Sequence, residues 1–84
     1  MPLALRVRYY AQLREALKTD SEEIAVETPI SEPALLELLA TRHPRQRAVL
    51  MASRVAVADG YVESSAALSG LEEGVDIISP ISGG

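Results

Sequence analysis

Leu3-Ala4-Leu5-Arg6-Val7-Arg8-Tyr9-Tyr10-Ala11-Gln12-Leu13-Arg14-Glu15-Ala16-Leu17 contains the change of period that decides how this chain folds. From Leu3 to Tyr9 the pattern has period two, so Leu3, Leu5, Val7 and Tyr9 share one face of a strand. From Tyr10 onward the apolar positions are 10, 13 and 17, the spacing of a helix of about two turns. Thr19-Asp20-Ser21 ends that helix, and Glu22-Glu23-Ile24-Ala25-Val26-Glu27 alternates again with Ile24 and Val26 inward. If this second strand runs antiparallel to the first, Glu23 and Glu27 face Arg6 and Arg8. Such cross-strand pairs contribute about 0.2–1 kcal/mol each.

Further along, Thr28-Pro29-Ile30 reads as a turn, and Ser31 is a suitable N-cap for the main helix, with Pro33 in its first turn. Leu35, Leu36, Leu38 and Leu39 form a broad apolar stripe edged by Arg42, and the helix stops at His43-Pro44. A short helical turn is expected from Pro44 to about Met51, then a strand over residues 54–58. Asp59-Gly60 is a type I′ hairpin signal before Tyr61-Val62. Residues 66–71 read as a short turn of helix. Val75-Asp76-Ile77-Ile78-Ser79 is the last strand, leading into Pro80-Ile81-Ser82-Gly83-Gly84. This order predicts an α+β domain of the β-grasp type, a mixed four- to five-stranded sheet packed on one main helix. Residues 1–79 form the domain and 80–84 a flexible Gly-Gly tail.

The 84 residues make one domain, with 48% hydrophobic and 24% charged residues, as a foldable globule requires. A chain this short buries roughly 60–65% of its unfolded surface, which argues against a deep private cavity and for work done with partners. The absence of cysteine excludes disulfides, Cys-ligated zinc or iron–sulfur centres, and a thiol nucleophile. A net charge of -4 argues against nucleic acid as a partner. No stretch approaches the roughly 18 apolar residues of a membrane span, and Arg6 interrupts any signal-peptide core, so the chain is read as cytoplasmic. All eight basic residues lie in positions 1–54, whereas Asp59, Glu63, Glu72, Glu73 and Asp76 make the final third acidic. That third is expected to present a negative surface to a basic partner.

Side-chain chemistry offers little. His43, the sole histidine, reads as a solvated group at the negative end of the helix dipole. Ser64-Ser65 has no second histidine to activate it. Glu22-Glu23 and Glu72-Glu73 are adjacent pairs whose members point to opposite faces of a strand, and they read as solvated charges. The glycines lack any phosphate-binding spacing. What remains is the carboxylate of Gly84. Two residues without side chains let the tail thread a narrow channel in another protein. Adenylation by an ATP-using partner would turn the carboxylate oxygen into a leaving group. A sulfur nucleophile replacing the adenylate would leave a thiocarboxylate, itself an ionised nucleophile at neutral pH.

Val7-Arg8-Tyr9-Tyr10-Ala11-Gln12-Leu13-Arg14-Glu15 resembles the opening signature of the molybdopterin synthase small subunit, the MoaD family. The resemblance extends through Arg42-His43-Pro44, Val55-Ala56-Val57, Tyr61-Val62 and Ile78-Ser79-Pro80-Ile81-Ser82-Gly83-Gly84. It implies a ubiquitin-like sulfur carrier with no permanently bound cofactor. In that reading an E1-like adenylyltransferase uses ATP at Gly84 and a sulfur donor converts the adenylate to the thiocarboxylate. The carrier then docks on the large synthase subunit and delivers sulfur to cyclic pyranopterin monophosphate. The sequence departs from the family at Leu17-Lys18, where the first helix usually ends in the glycine an αL cap favours. It also departs at Ala58, often Asn, and at Ser79-Pro80, often Pro-Pro.

Ordering the last five residues costs about 5–10 kcal/mol in backbone entropy. Burying Ile81 returns only about 1.5–3 kcal/mol. The folded surface must therefore hold the partner. With Ile77 in the core, Ile78 points outward, and Ile78, Pro80, Ile81 and Ser82 are the expected partner contacts, with Gly83 threading the channel and Gly84 carrying the sulfur. Three other readings stay open. A thiamine-pathway carrier also ends in Gly-Gly but is usually shorter than this chain over residues 31–54. A ubiquitin-like protein modifier would form an isopeptide bond through Gly84. A plain β-grasp binding module would need no tail chemistry.

Overall fold

The computed structural model describes residues 2–57, 60–61 (backbone only), 67–68 and 71–80. Strand β1 (Pro2–Tyr9) is followed by helix α1 (Ala11–Leu17), β2 (Ser21–Glu27), α2 (Glu32–Arg42), a 3-10 turn (Pro44–Gln46) and α3 (Arg47–Met51). Then come β3 (Arg54–Val57), β4 (Gly60–Tyr61), a second 3-10 turn (Leu71–Glu73) and β5 (Val75–Ile78). The five strands form one mixed sheet in the order β2-β1-β5-β3-β4. β1 runs antiparallel to β2 and parallel to β5, while β3 runs antiparallel to both β5 and β4. The α+β β-grasp expected from the sequence is the fold observed.

The two periods place the core. Leu5, Val7 and Tyr9 of β1, Ile24 and Val26 of β2, Val55 of β3, and Val75 and Ile77 of β5 are buried on one face of the sheet. They pack on Leu35, Leu36, Leu39 and Ala40 of α2, and Leu13 of α1, Leu50 of α3, Ile30, Leu68 and Leu71 join the same cluster. Tyr10 departs from the expected pattern. It is the N-cap of α1 and 45% exposed, because the chain turns from strand to helix there and only Leu13 and Leu17 keep the inward direction.

Local caps agree with residue chemistry. The Ser31 hydroxyl oxygen accepts a hydrogen bond from the Ala34 N–H at 3.4 Å, and His43 ends α2 before Pro44. α1 ends in the αL conformation with Lys18 at φ 60°, and the Thr19 N–H returns to the Arg14 carbonyl at 3.3 Å. The closure that glycine usually supplies is thus made here by lysine, at a steric cost of about 1–2 kcal/mol.

Three expectations change. Arg6 does face Glu23, with 3.8 Å between charges that are both well exposed, but the register sets Glu27 opposite Pro2 and Arg8 opposite Ser21. Arg8 turns instead to Asp76 on its other neighbour. At the hairpin, Gly60 pairs with Val57 as a strand residue and not as part of the turn, while Asp59 and Val62 lie outside the described residues. Of the helical turn expected over 66–71, Ala67 bridges Ser31 and the Leu68 N–H donates to the Ile30 carbonyl at 2.7 Å, while Leu71 begins a 3-10 turn. The rest of that segment is outside the described residues.

Entry into β5 depends on Gly74, at φ +83°. A Cβ at that position would sit 2.9 Å from the Arg6 carbonyl oxygen and 2.7 Å from an Arg8 guanidinium nitrogen. Gly74→Ala would therefore combine a left-handed backbone with a main-chain clash. It is expected to destabilise the fold by about 1–3 kcal/mol, read as a lower urea midpoint. An unchanged midpoint would contradict the close approach.

Candidate functional site

The segment that leads to the C-terminal residues is β5, and its position in the sheet is the main fact about the site. Val7 pairs with Val75, Arg8 with Asp76 and Tyr9 with Ile77 on one side. Arg54 pairs with Ile78, Val55 with Ile77 and Ala56 with Asp76 on the other. Val75 and Ile77 are fully buried, so alternation directs Asp76 and Ile78 to the opposite face, away from the helices.

Asp76 is held from two directions on that face. Arg8 Nε donates to its Oδ1 at 2.5 Å and the Tyr10 hydroxyl donates to the same atom at 2.9 Å. A guanidinium nitrogen of Arg8 also donates to the Glu73 carbonyl at 2.9 Å, fixing the turn before the strand. The hydrogen bond to Asp76 is the main reason that the Arg8 guanidinium is held even more firmly protonated than usual. Asp76 is therefore neutralised within the domain and adds little to the expected acidic surface. Glu72 and Glu73 are exposed, while Asp59 and Glu63 lie outside the described residues.

Of the expected partner contacts, Ile78 is half-buried and Pro80 is exposed. Ile81, Ser82, Gly83 and Gly84 lie outside the described residues. Among the described residues the exposed large apolar side chains are Tyr10 and Met51, at 45% and 40% exposure. Tyr10 bonds Asp76, and Met51 lies just before Arg54, the partner of Ile78, so both belong to the end of the sheet from which the chain leaves β5.

A second polar group corrects the reading of His43 and Glu22 as solvated. Glu22 Oε2 accepts from the Tyr9 hydroxyl at 2.5 Å and from His43 Nε2 at 2.6 Å, and Oε1 accepts from Arg42 at 3.1 Å. The Tyr9 ring meets the His43 ring edge-on at 6.3 Å. Strand alternation sends Glu22 to the helix side, where the end of α2 supplies the donors that a solvated carboxylate would take from water. Burial, then the bond to Glu22, pushes the Tyr9 hydroxyl far up, so it stays a donor. For Glu22 burial acts upward, but the bonds from Tyr9, His43 and Arg42 outweigh it and bring the carboxyl below its ordinary value.

Glu32 gave no sequence signal beyond an acid in the first turn of a helix. It is buried, and its Oε2 accepts the Val55 N–H at 2.7 Å and Arg54 Nε at 3.1 Å. β4 pairs only Ala56 and Val57, so the Val55 N–H beyond that short pairing is satisfied by this carboxylate. Among the described residues no three His, Asp or Glu side chains are grouped to hold a metal ion, and no helix is long and apolar enough to cross a membrane.

Because the folded state lowers the Glu22 carboxyl, its ionised form stabilises the fold, fully above the ordinary value of 4.5 and progressively less as pH falls through the lowered value. Glu22→Gln removes that titration. The wild-type urea midpoint is expected to drop more steeply than that of the variant between roughly pH 5 and pH 3. Parallel slopes would show that Glu22 contributes nothing to acid sensitivity.

Comparison with known proteins agrees with this architecture. A family model described as the ThiS family matches residues 7–84. A solved Pyrococcus furiosus chain, proposed as molybdopterin converting factor subunit 1, superimposes with a TM-score of 0.73 at 22% identity. The match covers 94% of this chain and 99% of that one. No curated protein matches. The chain belongs to the ThiS family, small β-grasp sulfur carriers that work with partner enzymes.

Proposed function

We propose that this chain is the sulfur-carrier subunit of a molybdopterin synthase, not an enzyme on its own. With Gly84 as the chain terminus, an E1-like adenylyltransferase joins its carboxylate to AMP from ATP, releasing pyrophosphate. A sulfur nucleophile supplied through that enzyme displaces AMP and leaves the thiocarboxylate. The carrier then docks on the large subunit, Gly83 and Gly84 enter its channel, and sulfur passes to cyclic pyranopterin monophosphate.

The observation that carries this reading is the central place of β5, hydrogen-bonded on both sides and ending only a few residues before Gly83-Gly84. Residues that follow such a strand start from a fixed base, so a partner that grips the outer face also fixes where they begin. The half-buried Ile78, the exposed Pro80 and the flanking Tyr10 and Met51 supply apolar contact at that base. Ile81 and Ser82 would continue the contact into the partner. The family match also accommodates a thiamine-pathway carrier, which shares the thiocarboxylate and differs in the acceptor.

Two experiments test the proposal. Intact-mass measurement after incubation with an E1-like enzyme, ATP and a sulfur donor is expected to show one oxygen replaced by sulfur, and deletion of Gly84 to abolish the product. Absence of the product from the full chain would overturn the carrier role. A thiocarboxylate that yields no dithiolene with the large subunit and cyclic pyranopterin monophosphate would transfer the assignment to the thiamine-type pathway. Separately, Ile78→Asp is expected to weaken binding to the large subunit about tenfold or more, since burying an isoleucine contributes about 1.5–3 kcal/mol. A folded variant that binds as wild type would remove Ile78 from the interface.

A further inference from the structure

β2 is an edge of the sheet: β1 covers one side from Ser21 to Glu27, and among the described residues no strand pairs with the other. The Tyr9 N–H bonds the Asp20 carbonyl at 2.8 Å, and the antiparallel alternation from there gives β1 the main-chain groups of Glu22, Ile24 and Val26. The main-chain groups of Glu23 and Ala25 therefore point outward in the plane of the sheet. Beside them runs a shallow groove on the helix side, lined by Ala25, Pro29 and Ile30, by Ala34 and Leu38 of α2, and by Ala67. Leu38 is only partly buried there and Ala34 is exposed.

An edge of this kind is a template for another strand. Charge selects which one. Two copies of β2 paired antiparallel about Ala25 would set Glu23 of each against Glu27 of the other, and like charges directly opposite are destabilising. A strand with bases at those two positions gains from the same carboxylates. Among the described residues the ion pair of Glu23 is a 3.8 Å contact with an exposed Arg6, and Glu27, which has an interaction of its own, keeps lone pairs that an incoming base can share.

We propose that β2 and the groove beside α2 accept an extended segment of a partner protein as an added antiparallel strand, with the pattern basic–aliphatic–any–aliphatic–basic. The two bases lie opposite Glu27 and Glu23, and the middle residue lies opposite Ala25. The two aliphatic side chains fall opposite Val26 and Ile24, on the α2 side, where the groove receives them against Ala34 and Leu38. This surface is at the far edge of the sheet from β3 and β4, so its occupant and a partner gripping the root of the tail bind by different contacts.

The probe is the end-blocked peptide Lys-Val-Thr-Val-Lys, titrated into the 15N-labelled full chain. The expected result is movement of the amide signals of Glu23, Ala25, Ala34 and Leu38. The peptide Glu-Val-Thr-Val-Glu is expected to bind about tenfold more weakly, the result of reversing two cross-strand charge pairs. Ala25→Pro removes an outward N–H but no bond to β1, and edge strands tolerate proline, so it is expected to abolish the response with the remaining spectrum intact. Should that variant not fold, Leu38→Glu places a charge in the groove and is expected to have the same effect. Equal binding of the two peptides, signal changes confined to β3 and β5, or dimerisation through β2 would each overturn the proposal.

Discussion

Everything in this molecule is organised by the pairing of its first strand with its last. β5 lies between β1 and β3, and the parallel ladder to β1 joins residues at opposite ends of the sequence. On the inner face the ladder places Val7 and Tyr9 beside Val75 and Ile77 in the core; on the outer face it places Arg8 against Asp76. Gly74 makes the pairing possible, because only a residue without a Cβ can pass so close to the Arg6 carbonyl. The polar contacts around Asp76 are secondary to that geometry. They fix the turn before β5 through the Glu73 carbonyl and draw Tyr10 over the outer face of the strand.

The main helix is fastened at both ends by carboxylates, with opposite logic at each. At its N-terminal end Glu32, on the helix, reaches out to the Val55 N–H and Arg54 of β3. At its C-terminal end Glu22, on β2, receives Arg42 and His43 from the helix terminus. Each arrangement puts negative charge at the helix start and positive or donor groups at the helix end, in accord with the helix dipole. The helix is thereby set against β3 at one end and against β1 and β2 at the other, and the apolar stripe between them has little freedom to slide. Apolar burial supplies most of the affinity between the layers, and these two bonded ends define the alignment.

The strands, the main helix and their order were legible because alternation and helical spacing are written in consecutive residues. The cap at Ser31, the stop at His43-Pro44 and the direction of Ile78 could be read in the same way. Partnerships across the fold could not be. Arg8 faced two acids on paper, and only the parallel register to β5 gave it Asp76 instead of Glu27. Glu22 and His43 looked solvated because their neighbours in sequence say nothing about Tyr9 and Arg42 arriving from elsewhere. Lys18 in a position suited to glycine shows a third limit, since the closing bonds to the Arg14 carbonyl accompany a conformation that the residue's own preference disfavours. Ala67 bridging Ser31 is a long-range pairing with no local mark at all.

The parallel pairing of β1 with β5 also bears on the order of events in the life of the chain. β1 precedes every other element described and β5 follows them all, so the sheet stays open until both strands are present. Contacts this distant in sequence also slow folding, because the loop-closure entropy must be met before the contact is formed. A truncated or stalled product lacking β5 would have no central strand and no tail. Closure of the sheet and the placing of the residues that follow β5 thus depend on one and the same strand.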